Sequence, residues 1–147
     1  MRIADILRDK GPAVATVTEG TTVTALLADL AAHNIGSMVV IGTGGQERIV
    51  GIVSERDVVR KLHEHGPGLL SRPVADVMSA VVVTCGPEDR VDDLAALMTH
   101  NRVRHVPVLV DGRLVGIVSI GDVVKHRMEE MAAQHQQLQA YITQGAS

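Results

Sequence analysis

The chain contains no phenylalanine and no tryptophan, and its single tyrosine is Tyr141. Any core must therefore be built from Val, Leu, Ile, Met and Ala, and a flat ring bound here would be sandwiched by aliphatic side chains. The lack of aromatics also removes the platform on which single-stranded nucleic acid stacks. Lys and Arg number 14 against 17 acidic residues, a net charge of −3 with no basic cluster, so neutralisation of a nucleic-acid backbone is not expected. One cysteine, Cys85, excludes an internal disulfide and a CxxC site. Long apolar runs are missing as well: the most apolar stretches are short, such as residues 38–41, and none approaches a membrane span. The opening residues Met1 to Lys10 carry charges throughout and do not read as a signal peptide. The expectation is a cytoplasmic protein with neither a membrane nor a nucleic acid as partner.

What the chain does have is a repeat. Gly51-Ile52-Val53-Ser54-Glu55-Arg56-Asp57-Val58-Val59 returns as Gly116-Ile117-Val118-Ser119-Ile120-Gly121-Asp122-Val123-Val124. A duplication fixes architecture before any motif is judged. The match extends backwards, pairing Val23 with Val91, Leu26 with Leu94, Leu30 with Met98, Ile35 with Val103 and Val40 with Val108. Val14 and Thr16 pair with Val82 and Thr84. The register shifts once, where Thr43-Gly44-Gly45-Gln46-Glu47-Arg48 faces the tighter Val110-Asp111-Gly112-Arg113, and loops are where insertions are tolerated. Each copy spans roughly 50 residues, too few to bury a good core alone. Two copies packed face to face make one domain.

Periodicity predicts the elements. Ile3, Ile6 and Leu7 mark a short amphipathic helix over 2–10, ended by Gly11-Pro12. Residues 14–17 form a strand, Thr22 opens a helix with apolar Val23, Leu26, Leu27, Leu30 and Ala31, and strands follow over 38–41 and 49–53. Ser54 opens a second helix to about His65, so each copy reads strand, helix, strand, strand, helix. Pro73-Val74-Ala75-Asp76-Val77-Met78 echoes Ile3-Ala4-Asp5-Ile6-Leu7, which duplicates even the lead-in. The expected division is a lead-in over 1–13, a first repeat over 14–65, a linker and second lead-in over 66–80, a second repeat over 81–127 and a helical tail over 128–147. In the tail, Val124, Met128, Met131, His135, Leu138 and Ile142 form a heptad seam, fit either to fold back on its own domain or to pair with a second subunit.

The chemistry-bearing motif is Ser-x-x-Asp between a strand and a helix. Alone it is explained as a capping box, Ser54 with Asp57 and Ser119 with Asp122. Its retention in both copies, at helix N-termini that favour anions, adds a second reading. A hydroxyl for phosphate and a carboxylate for ribose hydroxyls, one turn apart, make a nucleotide edge.

Both repeats resemble CBS domains, the cystathionine β-synthase motif, and the chain resembles small stand-alone bacterial CBS-pair proteins over residues 1 to about 127. The resemblance is carried by residues 51–57 and 116–122, by Ile35-Gly36-Ser37-Met38-Val39-Val40, and by Asn101-Arg102-Val103-Arg104-His105-Val106-Pro107-Val108. It implies an α+β fold: tandem β-α-β-β-α repeats packed as a pseudo-two-fold pair, here with a C-terminal helical extension. It implies two clefts binding adenine nucleotides or derivatives such as AMP, ADP, ATP, NAD and S-adenosylmethionine. Ribose would fall to Asp57 and Asp122, phosphate to Ser54 and Ser119. Adenine would lie against Thr16, Val17, Thr18, Ile35, Gly36, Ser37 and Met38, or against Thr84, Cys85, Gly86 and Val103. It further implies that the basic pair Arg104-His105 of one repeat reaches phosphates held by the other. Its counterparts Gly36-Ser37 are uncharged and Arg56 corresponds to Gly121, so the Asp57 site should hold the more phosphorylated end of a ligand.

The remaining candidates are structural. His63 and His65 read as exposed charges at a helix end, His100 and His105 have no ligand cluster near them in sequence, and no metal site is expected. Cys85 stands where Val17 stands in the first copy and reads as a small apolar filler. Pro107 reads as beginning or interrupting an edge-like strand. No nucleophile with a nearby base is legible and no catalytic domain accompanies the repeats, so the chain is expected not to be an enzyme. The expected function is a regulatory nucleotide-binding module, a homodimer acting on an unknown target protein. The rivals are a nucleotide hydrolase and an interaction protein with vestigial clefts.

Overall fold

The two copies fold around separate aliphatic cores, and neither closes its core alone. The computed structural model describes residues 1–11, 14–43, 48–81 and 83–145. Pro12, the middle of the 43–48 loop and the match of Val82 to Val14 fall outside these residues. The elements run α1 (Ile3–Lys10), β1 (Thr16–Thr18), α2 (Val23–His33), β2 (Ser37–Ile41), β3 (Ile49–Ser54), α3 (Glu55–His65), α4 (Val91–Asn101), β4 (His105–Val110), β5 (Arg113–Ser119) and α5 (Ile120–Gly145). Short 3-10 turns at Pro67–Ser71 and Val74–Asp76 join the copies. Among the described residues the first copy has a three-stranded sheet, β1 parallel to β2 and β2 antiparallel to β3. The second has the β4–β5 pair. The duplication reaches the register: Val40 faces Gly51 as Val108 faces Gly116, and each ladder slips one residue later.

The second copy departs from the expected unit at its first strand. There a single parallel bridge remains among the described residues, with Cys85 N–H donating to Pro107 O at 3.0 Å and Leu109 N–H donating to Cys85 O at 2.8 Å. Proline explains the truncation. Leu109 points its N–H toward Cys85, so residue 107, two positions back, faces the same side, and Pro107 has no N–H to extend the ladder. Pro107 therefore acts on the neighbouring strand, while β4 itself runs through it unbroken.

The lead-ins are exchanged. Ile3 and Ile6 of α1 are buried in the second core with Val91, Leu94, Met98, Val106 and Val118. Val74 and Val77 of the second lead-in are buried in the first core with Val23, Leu26, Leu30 and Val53. Three backbone hydrogen bonds repeat across the exchange. Ile3 N–H to Asp89 O matches Val74 N–H to Thr21 O, Ala4 N–H to Pro87 O matches Ala75 N–H to Glu19 O, and Val91 N–H to Met1 O matches Val23 N–H to Arg72 O.

The exchange also explains the glycine that opens each motif. A Cβ at Gly51 would lie 2.8 Å from Met78 Sδ, and one at Gly116 would lie 2.5 Å from Leu7 Cδ2. Met78 and Leu7 are matching residues of the two lead-ins. Overpacking of this kind costs roughly 1–3 kcal/mol. Gly116→Ala should lower stability by about that much in urea, and Leu7→Ala in the same chain should recover part of the loss. Additive losses in the double variant would mean the two residues are not in contact.

Candidate functional site

Both Ser-x-x-Asp motifs are helix caps. At the start of α3, Asp57 N–H donates to Ser54 Oγ at 3.2 Å, and Asp57 Oδ2 accepts from Ser54 N–H at 2.9 Å and Ser54 Oγ at 3.0 Å. At the start of α5, Asp122 N–H donates to Ser119 Oγ at 3.1 Å and Ser119 N–H donates to Asp122 Oδ2 at 2.8 Å. The hydroxyl proton of Ser54 is thus spent on Asp57, and a phosphate role would require it to turn away. What distinguishes the copies is the residue the exchanged lead-in brings up. Among the described residues Asp57 Oδ1 meets only the Ser79 hydroxyl, at 3.4 Å. Asp122 Oδ2 meets the Lys10 ammonium at 2.8 Å, and Lys10 Nζ also donates to Ile117 O at 2.7 Å. In the first copy the matching carbonyl, Ile52 O, is taken by Ser79 N–H. Lys10 thus fills both of Ser79's positions and adds a charge.

An open cleft of about 1010 Å³ lies between the copies on the Asp57 side. Repeat one contributes Gly36, Ile52, Ser54, Glu55, Arg56, Asp57 and Arg60. The second contributes Met98, Thr99, Arg102, Val103, Arg104, His105 and Ile120, with residues 79–81 and Val83 across the floor. Backbone bonds fix the two walls alike: Glu55 N–H donates to Gly36 O at 3.0 Å and Ile120 N–H to Arg104 O at 2.9 Å. Four guanidiniums face two carboxylates in this cleft, and none of the four has an ion-pair partner among the described residues. The cleft is therefore positive in a chain whose net charge is −3.

Of the residues singled out from sequence, Ser54, Arg56, Asp57, Gly36, Val103, Arg104 and His105 come together here. Thr16, Thr18, Ile35, Ser37, Thr84 and Gly86 do not line this cleft, and neither do Ser119 and Asp122. Val17, Met38 and Cys85 were expected against a ring, but their side chains are buried in the two cores. The inward phase of β1 and β2 puts Val17 and Met38 there, and both backbone groups of Cys85 are spent on its bridge. Sequence reasoning missed Arg60, Arg102 and Lys10. Arg60 was readable, standing one helical turn after Arg56. Arg102 occupies a left-handed cap at φ 54°, where the matching residue of the first copy is Asn34 at φ 52°. Asparagine is suited to that conformation and arginine is not.

The electrostatics divide the site. Burial, and then the Lys10 charge, push the His105 imidazole below its usual range against the pull of Asp122 and Asp57. Burial raises the Asp122 carboxyl, but the bonds from Lys10 and Ser119 outweigh it and hold the group below the ordinary carboxylate range. Burial, with Asp89 adding, pushes the Cys85 thiol up to about 12, which closes it to thiolate chemistry. A carboxylate depressed in the fold stabilises it above the unfolded pKa, and that stability is lost as pH falls through the folded pKa. Lys10→Met should therefore cost at most about 1 kcal/mol near neutrality, as befits a partly exposed pair, and the cost should shrink in acid-melting curves as Asp122 is protonated. An identical acid limb in both proteins would show that Lys10 does not hold Asp122 charged.

The CBS domain family pattern matches residues 3–64 and 74–129. CBS domain-containing protein CBSX3, mitochondrial, of Arabidopsis thaliana is 37% identical over 97% of this chain and 72% of its own length. The crystal structure of a CBS-domain containing protein from Agrobacterium tumefaciens superposes with a TM-score of 0.80 at 40% identity, covering 86% of this chain and 99% of that one. A CBS domain protein from Pyrobaculum aerophilum, solved in complex with AMP, superposes with a TM-score of 0.73 at 30% identity, covering 83% and 89%.

Proposed function

The chain belongs to the CBS-domain family, and on that premise we propose that it is a regulatory module that binds an adenine nucleotide in the cleft around Asp57. The observation that carries this reading is the cleft's charge. A carboxylate without a cation partner lies on one wall, and guanidiniums from both copies, Arg56 and Arg60 with Arg102 and Arg104, stand free to take phosphates. Asp57 Oδ1 is assigned the ribose hydroxyls, and Val103 and Ile52 the apolar contacts to the base. A charge-assisted contact is about twice as strong as a neutral one, which favours ADP, ATP or NAD over a bare nucleoside. The AMP held by the Pyrobaculum relative supports the adenine class. Asp122, with its carboxylate already paired to Lys10, is assigned a weaker site or none. Occupancy would change the angle between the copies and so the surface offered to a target protein. We read the site as regulatory and not catalytic: Ser54 is engaged in a helix cap, and its hydroxyl and that of Ser79 both bond Asp57, the carboxylate assigned to ribose. A cytoplasmic location belongs to the same proposal.

Calorimetry with AMP, ADP, ATP and NAD is the test, and heat is expected from at least one. Asp57→Ala should weaken binding by roughly 1.5–3 kcal/mol, the range for a hydrogen bond to a charged group, whereas Asp122→Ala should leave this affinity within about twofold. Protonated His105 would add a further charge to a bound phosphate. Affinity should therefore rise as pH falls below the usual imidazole value of about 6.5, and His105→Gln should flatten that slope. In the free protein the sign is reversed, because a depressed imidazole stabilises the fold above the unfolded pKa and that stability is lost as pH falls through the folded one. Silence from all four nucleotides would leave the reading as an interaction protein with empty clefts.

The proposed module is a homodimer joined in part by α5. Val124, Met128, Met131, Leu138 and Ile142 are all more than half exposed, and from Met128 onward every described residue but Glu130 is exposed. None of the described residues covers this seam, and His135 sits within it. Ending the chain after Met131 should raise the dimer dissociation constant at least about tenfold in sedimentation, equivalent to 1.4 kcal/mol. An unchanged constant would remove the tail from the interface.

A further inference from the structure

A second cluster stands apart from the cleft, where α1 meets α5. Asp9, His126 and Glu129 each bring one potential ligand atom to within 4.8 Å of the other two. His126 is 6% exposed, although it lies on a helix whose outer turns are open. Its Nδ1 faces Met1 Sδ, and its Nε2 has no hydrogen-bond partner among the described residues. That buried Nε2 lies 3.3 Å from Asp9 Oδ2. Glu129, three residues on, shares its helical face. Asp5, one turn earlier on α1, is near enough for its charge to be felt at His126. A buried imidazole nitrogen 3.3 Å from a carboxylate yet without a hydrogen bond is incomplete, because buried polar groups have partners as a rule.

We propose that Asp9, His126 and Glu129 form a binding site for a divalent transition cation, with zinc as the best match. The donor set decides the class: imidazole suits zinc and its neighbours, whereas an all-oxygen set would suit magnesium or calcium. Met1 Sδ, by accepting from Nδ1–H, leaves Nε2 as the lone-pair nitrogen a metal needs. The two carboxylates are exposed, so the site opens to solvent on one side, and three protein ligands leave a fourth tetrahedral position for water. A cation there joins α1 to α5 directly, one residue from the Lys10 that holds Asp122. The site was illegible in sequence because its ligands come from opposite ends of the chain.

The test uses the full chain after chelator treatment and dialysis, titrated with zinc sulfate against a chromophoric competitor. One zinc per chain is expected, with a dissociation constant in the micromolar range or tighter and a raised melting temperature. Asp9→Asn and Glu129→Gln change exposed residues and should keep the fold, so they decide the matter where His126→Gln might unfold it. Each should weaken zinc at least about tenfold, while the doubly substituted His63→Gln, His65→Gln chain should bind as before. Absence of bound zinc at about 100 µM would overturn the site. Zinc binding that survives both carboxylate changes, or that disappears with His63 and His65, would overturn it equally.

Discussion

The contact on which the rest depends is the packing of each lead-in against the motif glycine of the other copy. Leu7 on Gly116 and Met78 on Gly51 leave no room for a side chain at the glycine. Each copy therefore lacks a wall of its own core until the other supplies it, and the roughly 50-residue units become one domain through that need. The exchange also sets the copies at a fixed distance and orientation, which is what makes a cleft between them. The floor residues Ser79, Ala80, Val81 and Val83 follow Val74 and Val77, which are anchored in the first core a few residues earlier.

Two lead-in residues at different positions, Ser79 one past Met78 and Lys10 three past Leu7, then decide how the two halves differ. Ser79 reaches Asp57 with a neutral hydroxyl at 3.4 Å, and Lys10 reaches Asp122 with an ammonium at 2.8 Å. The backbone frame is shared, down to the paired carbonyls of Ile52 and Ile117, so the difference is one of charge. The Asp57 carboxylate meets a neutral hydroxyl, while the Asp122 carboxylate is paired with an ammonium. His105 stands between them on β4, opposite Ser119 and feeling both carboxylates and Lys10.

The architecture was legible because duplication is a long-range signal that needs no alignment. Matched apolar positions such as Leu26 with Leu94 and Val40 with Val108 located helices and strands, and both cores are built from them. Both Ser–Asp pairs form the caps that the motif predicts, and Ser54, Asp57, Arg56, Arg104 and His105 come together at one cleft. Three kinds of information were not local. Pro107 shortens a strand some 20 residues earlier through a hydrogen bond it cannot make. Lys10 is brought to Asp122 by the lead-in exchange, and nothing in either segment announces the other. Val17, Met38 and Cys85 belong to a contact region by position but to the cores by side-chain phase, which the alternation Thr16-Val17-Thr18 already encodes.

The eight residues of α1 tie these features into one mechanical element. Its Ile3 and Ile6 anchor it in the second core, its Leu7 lies on Gly116, its Lys10 holds Asp122 and its Asp9 faces His126. Ridges this close-packed move together or not at all, because interiors near crystal density do not deform gradually. A shift of β5 on ligand entry would therefore be carried by α1 to the base of α5. The long helix amplifies it: at 1.5 Å per residue its 26 residues extend about 39 Å, so a tilt of a few degrees at Ile120 displaces the tip by a few ångström. The exposed apolar seam lies along that lever. Two such levers paired between subunits would convert a small change at the cleft into a change of register or separation, the kind of two-state element that allosteric coupling requires.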